Sequence, residues 1–198
     1  MPAPRIVVLP GSNRTGSFNR RLEALVVREL RAKGADVVDV DLRDYAMPLY
    51  DGDLEAEHGV PEPARRLHAL FRTAAGVFIV TPEYNASIPP LTKNTIDWIS
   101  RVREDGGIPA AFGGPVFALA AASPGGLGGY RGLMALRQSL ELGLGASVLP
   151  SMVSVARAME AFDAAGDLLS PAHVQSLERT VAALLAAAEA RMPRVPPA

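Results

Sequence analysis

Ile6-Val7-Val8-Leu9-Pro10-Gly11-Ser12-Asn13-Arg14-Thr15-Gly16-Ser17-Phe18-Asn19 is the stretch on which the fold turns. An apolar run of strand length enters a glycine-bearing loop, and beyond it Leu22, Leu25, Val26 and Leu30 recur at helical spacing. Gly34 follows where a helix C-cap would sit. Strand, loop and helix together open a βαβ unit.

Outward from there, Val37 to Val40, Val77 to Val80, Val116 to Ala120 and Ala146 to Val153 read as four further strands, with helical patterns between them. The strands are nearly continuous apolar runs, which implies burial on both faces, as in a parallel sheet covered by helices. The last helix has Ser170 as N-cap and Pro171 in its first turn. Val174, Leu177, Val181, Leu184, Leu185 and Ala188 form one face of it. The expected class is therefore α/β, doubly wound, as one domain over residues 1–191. Residues 192–198 contain Pro193, Pro196 and Pro197 and are expected to form a frayed tail. Leu42 to Pro63 carries Pro48, Gly52, Gly59, Pro61 and Pro63 and reads as a long surface loop, either plainly solvated or part of a lid or subunit contact.

Composition narrows the function. The chain has 198 residues, 48% hydrophobic, with 20 basic against 21 acidic side chains, so a disordered chain is excluded. It has no cysteine, which removes disulfides, a thiolate nucleophile and a cysteine zinc site, so any redox chemistry must come from a bound cofactor. No apolar stretch approaches the roughly 20 residues of a membrane-spanning helix, and no cleavable leader pattern precedes Ile6, so a cytoplasmic setting is expected. No basic run marks a nucleic-acid surface. His58, His68 and His173 lack ligand spacing, and no metal is expected.

In a sheet of order 2-1-3-4-5, ligands bind in the crevice beyond the carboxyl ends of strands 1 and 3. The loop after strand 1 offers the hydroxyls of Ser12, Thr15 and Ser17, the amide of Asn19, the charge of Arg14 and a helix N-terminus, a set suited to phosphate. Ser17 occupies the position where a Walker A loop requires lysine, so a nucleotide triphosphatase is disfavoured. An ordinary turn with Ser17 as a helix cap accounts for the same residues. In the loop after strand 3, Pro82, Glu83, Tyr84, Asn85 and Ser87 suit a planar heteroaromatic ligand, and a structural turn explains them equally well. The loop after strand 4, Ser123-Pro124-Gly125-Gly126-Leu127-Gly128-Gly129, leaves room for close backbone approach or serves only a tight turn.

These three loops, together with Lys93-Asn94-Thr95-Ile96-Asp97-Trp98, resemble the NADPH-dependent FMN reductase family in the right order over roughly Arg5 to Leu149. The resemblance implies a flavodoxin-like three-layer sandwich with a five-stranded parallel sheet of order 2-1-3-4-5. It implies that Ser12, Arg14, Ser17 and Asn19 hold the FMN phosphate. Pro82, Glu83, Tyr84 and Asn85 would line the isoalloxazine ring, largely through main-chain atoms, with Ser123, Gly125 and Gly126 on its other edge. Ala86 often reads glycine in the family, and Thr92 stands where leucine is usual. Trp98 and Ile99 are expected in the core or a subunit interface.

The same resemblance implies an FMN-dependent NAD(P)H oxidoreductase that passes hydride to a quinone or similar small acceptor by a ping-pong mechanism. No side chain then needs a catalytic role, since the flavin carries the chemistry, and Tyr84 would contact the acceptor. Arg14, Lys93, Arg101 and Arg131 are candidate partners for the 2′-phosphate of NADPH. A homodimer or homotetramer is expected. The competing class is a flavodoxin-like electron carrier without turnover, which the near-zero net charge disfavours because docking by steering needs a large field of one sign.

Overall fold

The computed structural model describes residues 3–191; the tail expected over 192–198 lies outside the described residues. Five strands, β1 (Arg5–Pro10), β2 (Asp36–Asp39), β3 (Gly76–Val80), β4 (Val116–Ala122) and β5 (Ser147–Val155), pair in parallel in the order β2-β1-β3-β4-β5. Among the described residues six α-helices lie between and after them, with α2 and α3 both between β2 and β3: α1 (Phe18–Ala32), α2 (Gly52–His58), α3 (Glu62–Thr73), α4 (Pro90–Arg101), α5 (Tyr130–Gln138) and α6 (Pro171–Arg191). This is the expected flavodoxin-like sandwich.

The apolar runs divide cleanly between the two faces of the sheet. Ile6, Val8, Phe78, Val80, Ala118 and Ala120 pack with Leu22, Val26 and Leu30 of α1 and with Val181 and Leu184 of α6. Their alternates Val7, Leu9, Val77, Ile79, Phe117 and Leu119 pack with α3, α4 and α5 through Leu67, Phe71, Ile96, Ile99 and Leu133. Both sets are buried because side chains alternate along a strand, so every position of a central strand meets a helical layer. Gly76 shows how tight this packing is: a Cβ there would lie 3.0 Å from Ile6 and Leu184 side-chain atoms. β5 tolerates Pro150 because it is an edge strand, and its pairing with β4 shifts between Phe117 and Leu119, so the missing N–H is not called on.

The surface loop expected over Leu42 to Pro63 is overturned in part. Leu42–Tyr45 forms a 3₁₀ turn, Gly52–His58 forms α2, and α3 has already begun at Glu62. Two aspartates nucleate these turns: Asp41 accepts from the Arg43 N–H at 3.0 Å, and Asp51 accepts from the Asp53 N–H at 2.8 Å. Pro63 sits in the first turn of α3, where its missing N–H costs nothing. The prolines mark helix starts as well as turns.

Trp98 resolves to the core. It is fully buried, donates from Nε1 to the Pro48 carbonyl at 2.8 Å and meets the Tyr50 ring edge-to-face at 5.0 Å. It pins the α2 region to α4 and offers no surface to a second subunit. His68 is likewise a buried structural residue, with Nε2 3.0 Å from the Gly107 carbonyl oxygen.

Glu23 is the anomaly of α1, a carboxyl on the buried face with Arg20 Nη1 at 3.0 Å. Burial pushes it up to about 8, against the pull of Arg20 and with the help of Asp39. A carboxyl raised in the folded state binds its proton more tightly there than when unfolded. Its contribution is therefore complete below the ordinary carboxylate range and is lost as pH climbs toward about 8. Glu23→Gln should flatten the fall in unfolding free energy between about pH 5 and pH 8, measured by urea denaturation across that range.

Candidate active site

At the carboxyl end of β1 the chain must leave the sheet within a very small space. The Gly11 N–H donates to the Val80 carbonyl at 2.7 Å, and a Cβ on Gly11 would fall 2.2 Å from Thr81 Oγ1 and 2.5 Å from Thr92 Oγ1. Those two hydroxyls bond each other at 2.7 Å, which gives Thr92 a buried partner that a leucine would lack.

Beyond Gly11 the loop turns into α1 with Ser17 in the N-cap position. Its hydroxyl makes no capping bond although the residue is only 3% exposed. Ser12 is buried beside it, and Arg14 is exposed at the loop crest. The simple helix-cap reading of Ser17 therefore fails. A buried hydroxyl, the α1 N-terminus and an exposed guanidinium border one cleft, a donor set suited to a phosphate. Asn19 behaves differently. Its amide donates to the Ala122 carbonyl at 2.9 Å and accepts from the Ala122 N–H at 2.8 Å, tying α1 to the end of β4. It still borders the cleft, with one N–H and one lone pair to spare.

The loop after β3 closes on itself. Tyr84 and Ser87 exchange both backbone hydrogen bonds, at 3.1 and 2.9 Å, around Asn85 and Ala86, whose φ values are +49° and +62°. Asparagine tolerates this left-handed backbone, and alanine does so at a cost of about 1–2 kcal/mol. That explains why glycine suits position 86. Ala86→Gly should stabilise the protein by about 0.5–1 kcal/mol after glycine's entropic cost, seen as a Tm rise of roughly 1–4 °C.

Glu83, adjacent to this turn, is committed to structure. Its carboxylate accepts from Arg131 Nε at 2.9 Å and from the Gly132 N–H at 3.0 Å, so it caps the start of α5 from a distant loop. Burial would raise its pKa, but the bonds from Arg131 and Gly132 outweigh burial and hold it below its ordinary value. Gly132 makes the approach feasible, because a Cβ there would lie 3.0 Å from Glu83 Cβ and 3.1 Å from the Ser87 carbonyl oxygen. In the loop after β4, Gly128 and Gly129 have positive φ and pack against Ser154 and Ala121, whereas Gly126 faces open space. Half of that glycine run serves the turn and half leaves room.

A cleft of about 210 Å³ lies where the three loops meet. Ser12, Arg14, Ser17, Asn19, Pro82, Glu83, Tyr84 and Ser123 all border it. Asn85, Gly125 and Gly126 do not; they are exposed. Phe18, Ala122 and Pro124 complete the lining. Phe18 was present in the first loop's own sequence; Ala122 follows from strand length alone, since β4 runs two residues past the expected end. Phe18 is braced by a stacked Phe162 ring at 6.5 Å. A phosphate-type donor set at one end and a half-open, ring-lined slot beside Pro82 and Tyr84 at the other fit a flavin mononucleotide.

Comparison with known proteins identifies the family. The family model described as NADPH-dependent FMN reductase matches residues 4–160. A quinone reductase of Escherichia coli strain K12 is 42% identical over 138 residues, 69% of this chain and 69% of the relative. An NAD(P)H-dependent FMN reductase of Pseudomonas aeruginosa is 31% identical over 181 residues, 91% of this chain and 92% of the relative. Among solved structures, the flavoenzyme NAD(P)H:(acceptor) oxidoreductase FerB from Paracoccus denitrificans has a TM-score of 0.75 at 27% identity, covering 96% of this chain and 99% of FerB. With the expected sheet order, three loops converging on one cleft and a family match over most of its length, this chain belongs to the NADPH-dependent FMN reductase family of enzymes.

Proposed function

We propose that the protein passes reducing equivalents from NAD(P)H through FMN to a quinone or similar small acceptor, donor and acceptor binding in turn at one place. The observation that carries this reading is a cleft whose one carboxylate, that of Glu83, is held by Arg131 and Gly132 and is therefore not a general base. When bound, FMN supplies the hydride-transferring ring. The chain's own residues then bind and orient. Ser12, Ser17 and Arg14 hold the phosphate with the α1 N-terminus, and Pro82 and the Tyr84 turn set the slot for the ring. Ser123, whose hydroxyl accepts from the Gly125 N–H at 3.2 Å, keeps the third loop clear of it.

Tyr84, 51% exposed, presents a flat face to whatever enters beside the ring. Donor and acceptor share that approach, so double-reciprocal plots should be parallel. Anaerobic addition of NADPH and of NADH to the FMN-loaded protein, followed by absorbance, tests the reading. Bleaching by at least one donor supports it, and no bleaching by either overturns it in favour of an electron carrier.

We further propose a homodimer or homotetramer in a cytoplasmic setting. The exposed Leu127, Tyr130, Met134 and Leu142 along the α5 side take the place of Trp98 as the apolar surface that favours self-association. Light scattering at micromolar concentration tests it. Among the described residues, no helix is long and apolar enough to cross a membrane.

A further inference from the structure

Glu23 is a buried carboxyl that the flavin chemistry does not use, and it stands on the helix whose N-terminus borders the cleft. We propose that Glu23 is a positioning residue for FMN. As a neutral acid it leaves the positive end of α1 and the Arg20 guanidinium to act on the flavin phosphate, and as a carboxylate it opposes both. The inference rests on the reading of Ser12, Ser17 and Arg14 as the phosphate site.

Ser17 is the N-cap of α1, and Glu23 follows on the buried face of the second turn, about 9 Å along the axis at about 1.5 Å per residue. Arg20, one turn nearer the loop, divides its guanidinium between two carboxyl groups. Its Nη1 lies 3.0 Å from Glu23 Oε2, and its Nη2 lies 3.7 Å from Asp41 Oδ2. With Arg14, Arg43 and Asp41 it lines a recess of about 190 Å³ on the flank of the first loop. Asp41 is already held by Arg43, whose Nε donates to its two oxygens at 2.9 and 3.0 Å. The charge that Arg20 presents to the loop therefore depends on the state of Glu23.

Among the described residues, the charged groups that act on Glu23 are Arg20 on its own helix, which favours the carboxylate, and Asp39 and Asp41 at the end of β2, which favour the acid. Burial, the largest influence, sides with the aspartates and pushes the group up to about 8. Glu23 is thus mainly an acid at pH 7 and mainly a carboxylate at pH 9. The FMN phosphate, with a second ionisation at about pH 6, is a dianion across that window. Over roughly 9 Å, a carboxylate acting on a dianion through the water around an exposed loop weakens binding about 3- to 10-fold. Packing does not account for Glu23, since an apolar side chain would fill the position without burying a polar group.

The test is FMN affinity against pH, read by quenching of FMN fluorescence with no nicotinamide or acceptor present. From pH 7 to pH 9 the wild type should weaken about 3- to 10-fold, whereas Glu23→Gln should keep its pH 7 affinity within about twofold. Arg20→Gln removes the pull toward the carboxylate, so its weakening should begin at higher pH. A reciprocal readout needs no variant to fold. In carbon-13 NMR of the glutamate carboxyls, FMN should raise the Glu23 midpoint by about 0.5 to 1 pH unit over the apoprotein. The proposal is overturned by equal pH dependence in the wild type and Glu23→Gln, by a midpoint that FMN does not move, or by a carboxyl already ionised at pH 6. No FMN binding at either pH overturns the phosphate-site reading and this inference together, while binding indifferent to Glu23 overturns this inference alone. Because no nicotinamide is present, each result is separate from whether NAD(P)H reduces the flavin.

Discussion

Arg14→Ala should loosen FMN about 10- to 150-fold and leave the unfolding midpoint of the apoprotein where it was. The range is that of one charge-assisted hydrogen bond to phosphate, about 1.5–3 kcal/mol. The structure separates the two halves of this expectation. Arg14 stands at the crest of the first loop, exposed. Among the described residues its guanidinium forms no hydrogen bond or ion pair, the loop's own bond being from its backbone N–H to Ser12 Oγ. Truncating it therefore removes no contact that holds the fold. Exposure lowers the gain through solvent screening, which favours the lower part of the range. Ser17, a neutral donor, should cost about 10-fold or less when changed to alanine. Quenching of FMN fluorescence on titration with apoprotein reads both, and an unchanged dissociation constant for Arg14→Ala would return that residue to an ordinary solvated position.

Glu83→Ala should have the opposite signature, losing stability and flavin together. The substitution removes the acceptor for the Gly132 N–H at the start of α5 and leaves Arg131 without its carboxylate. Loss of a helix cap costs about 1 kcal/mol, and loss of a charged hydrogen bond adds to it, discounted because Arg131 is more than half exposed. About 2 kcal/mol in all corresponds to a Tm lower by roughly 4–8 °C for a chain of this size. Because Glu83 joins the loop after β3 to the helix that follows β4, FMN affinity should fall with it. Glu83→Gln keeps an oxygen for Gly132 but not the ion pair, and should lie between. The pH dependence follows the depressed pKa: the stabilisation is present at neutral pH and lost as acidification protonates the folded carboxylate. If Glu83→Ala melts with the wild type, the bracing role is refuted.

What was legible in the sequence was whatever depends on neighbours within one element. Continuous apolar runs reported strands covered on both faces, a 3.6-residue period reported α1 and α6, and glycine, serine and asparagine after the first, third and fourth strands marked the loops that border the cleft. The resemblance of those loops to one family then assigned the cofactor. The short turns between Leu42 and Pro63 were locally encoded too, by Asp41 and Asp51 as caps, although prolines and glycines obscured them.

The tertiary structure decided what each polar side chain does. Asn19 meets Ala122 across 103 positions of sequence, and Arg131 meets Glu83 across 48. Only the packed sheet, with β1 beside β3 and β3 beside β4, brings such residues within hydrogen-bond distance. Trp98 sinks into the core for the same reason, finding Pro48 from another element. Arg20 and Arg43 converge on Arg14 because β2 runs alongside β1 and delivers its following turn to the flank of the first loop. A side chain's type limits the bonds that it can make, but its partner is set by which strands lie adjacent, and that adjacency is settled by burying all five strands at once.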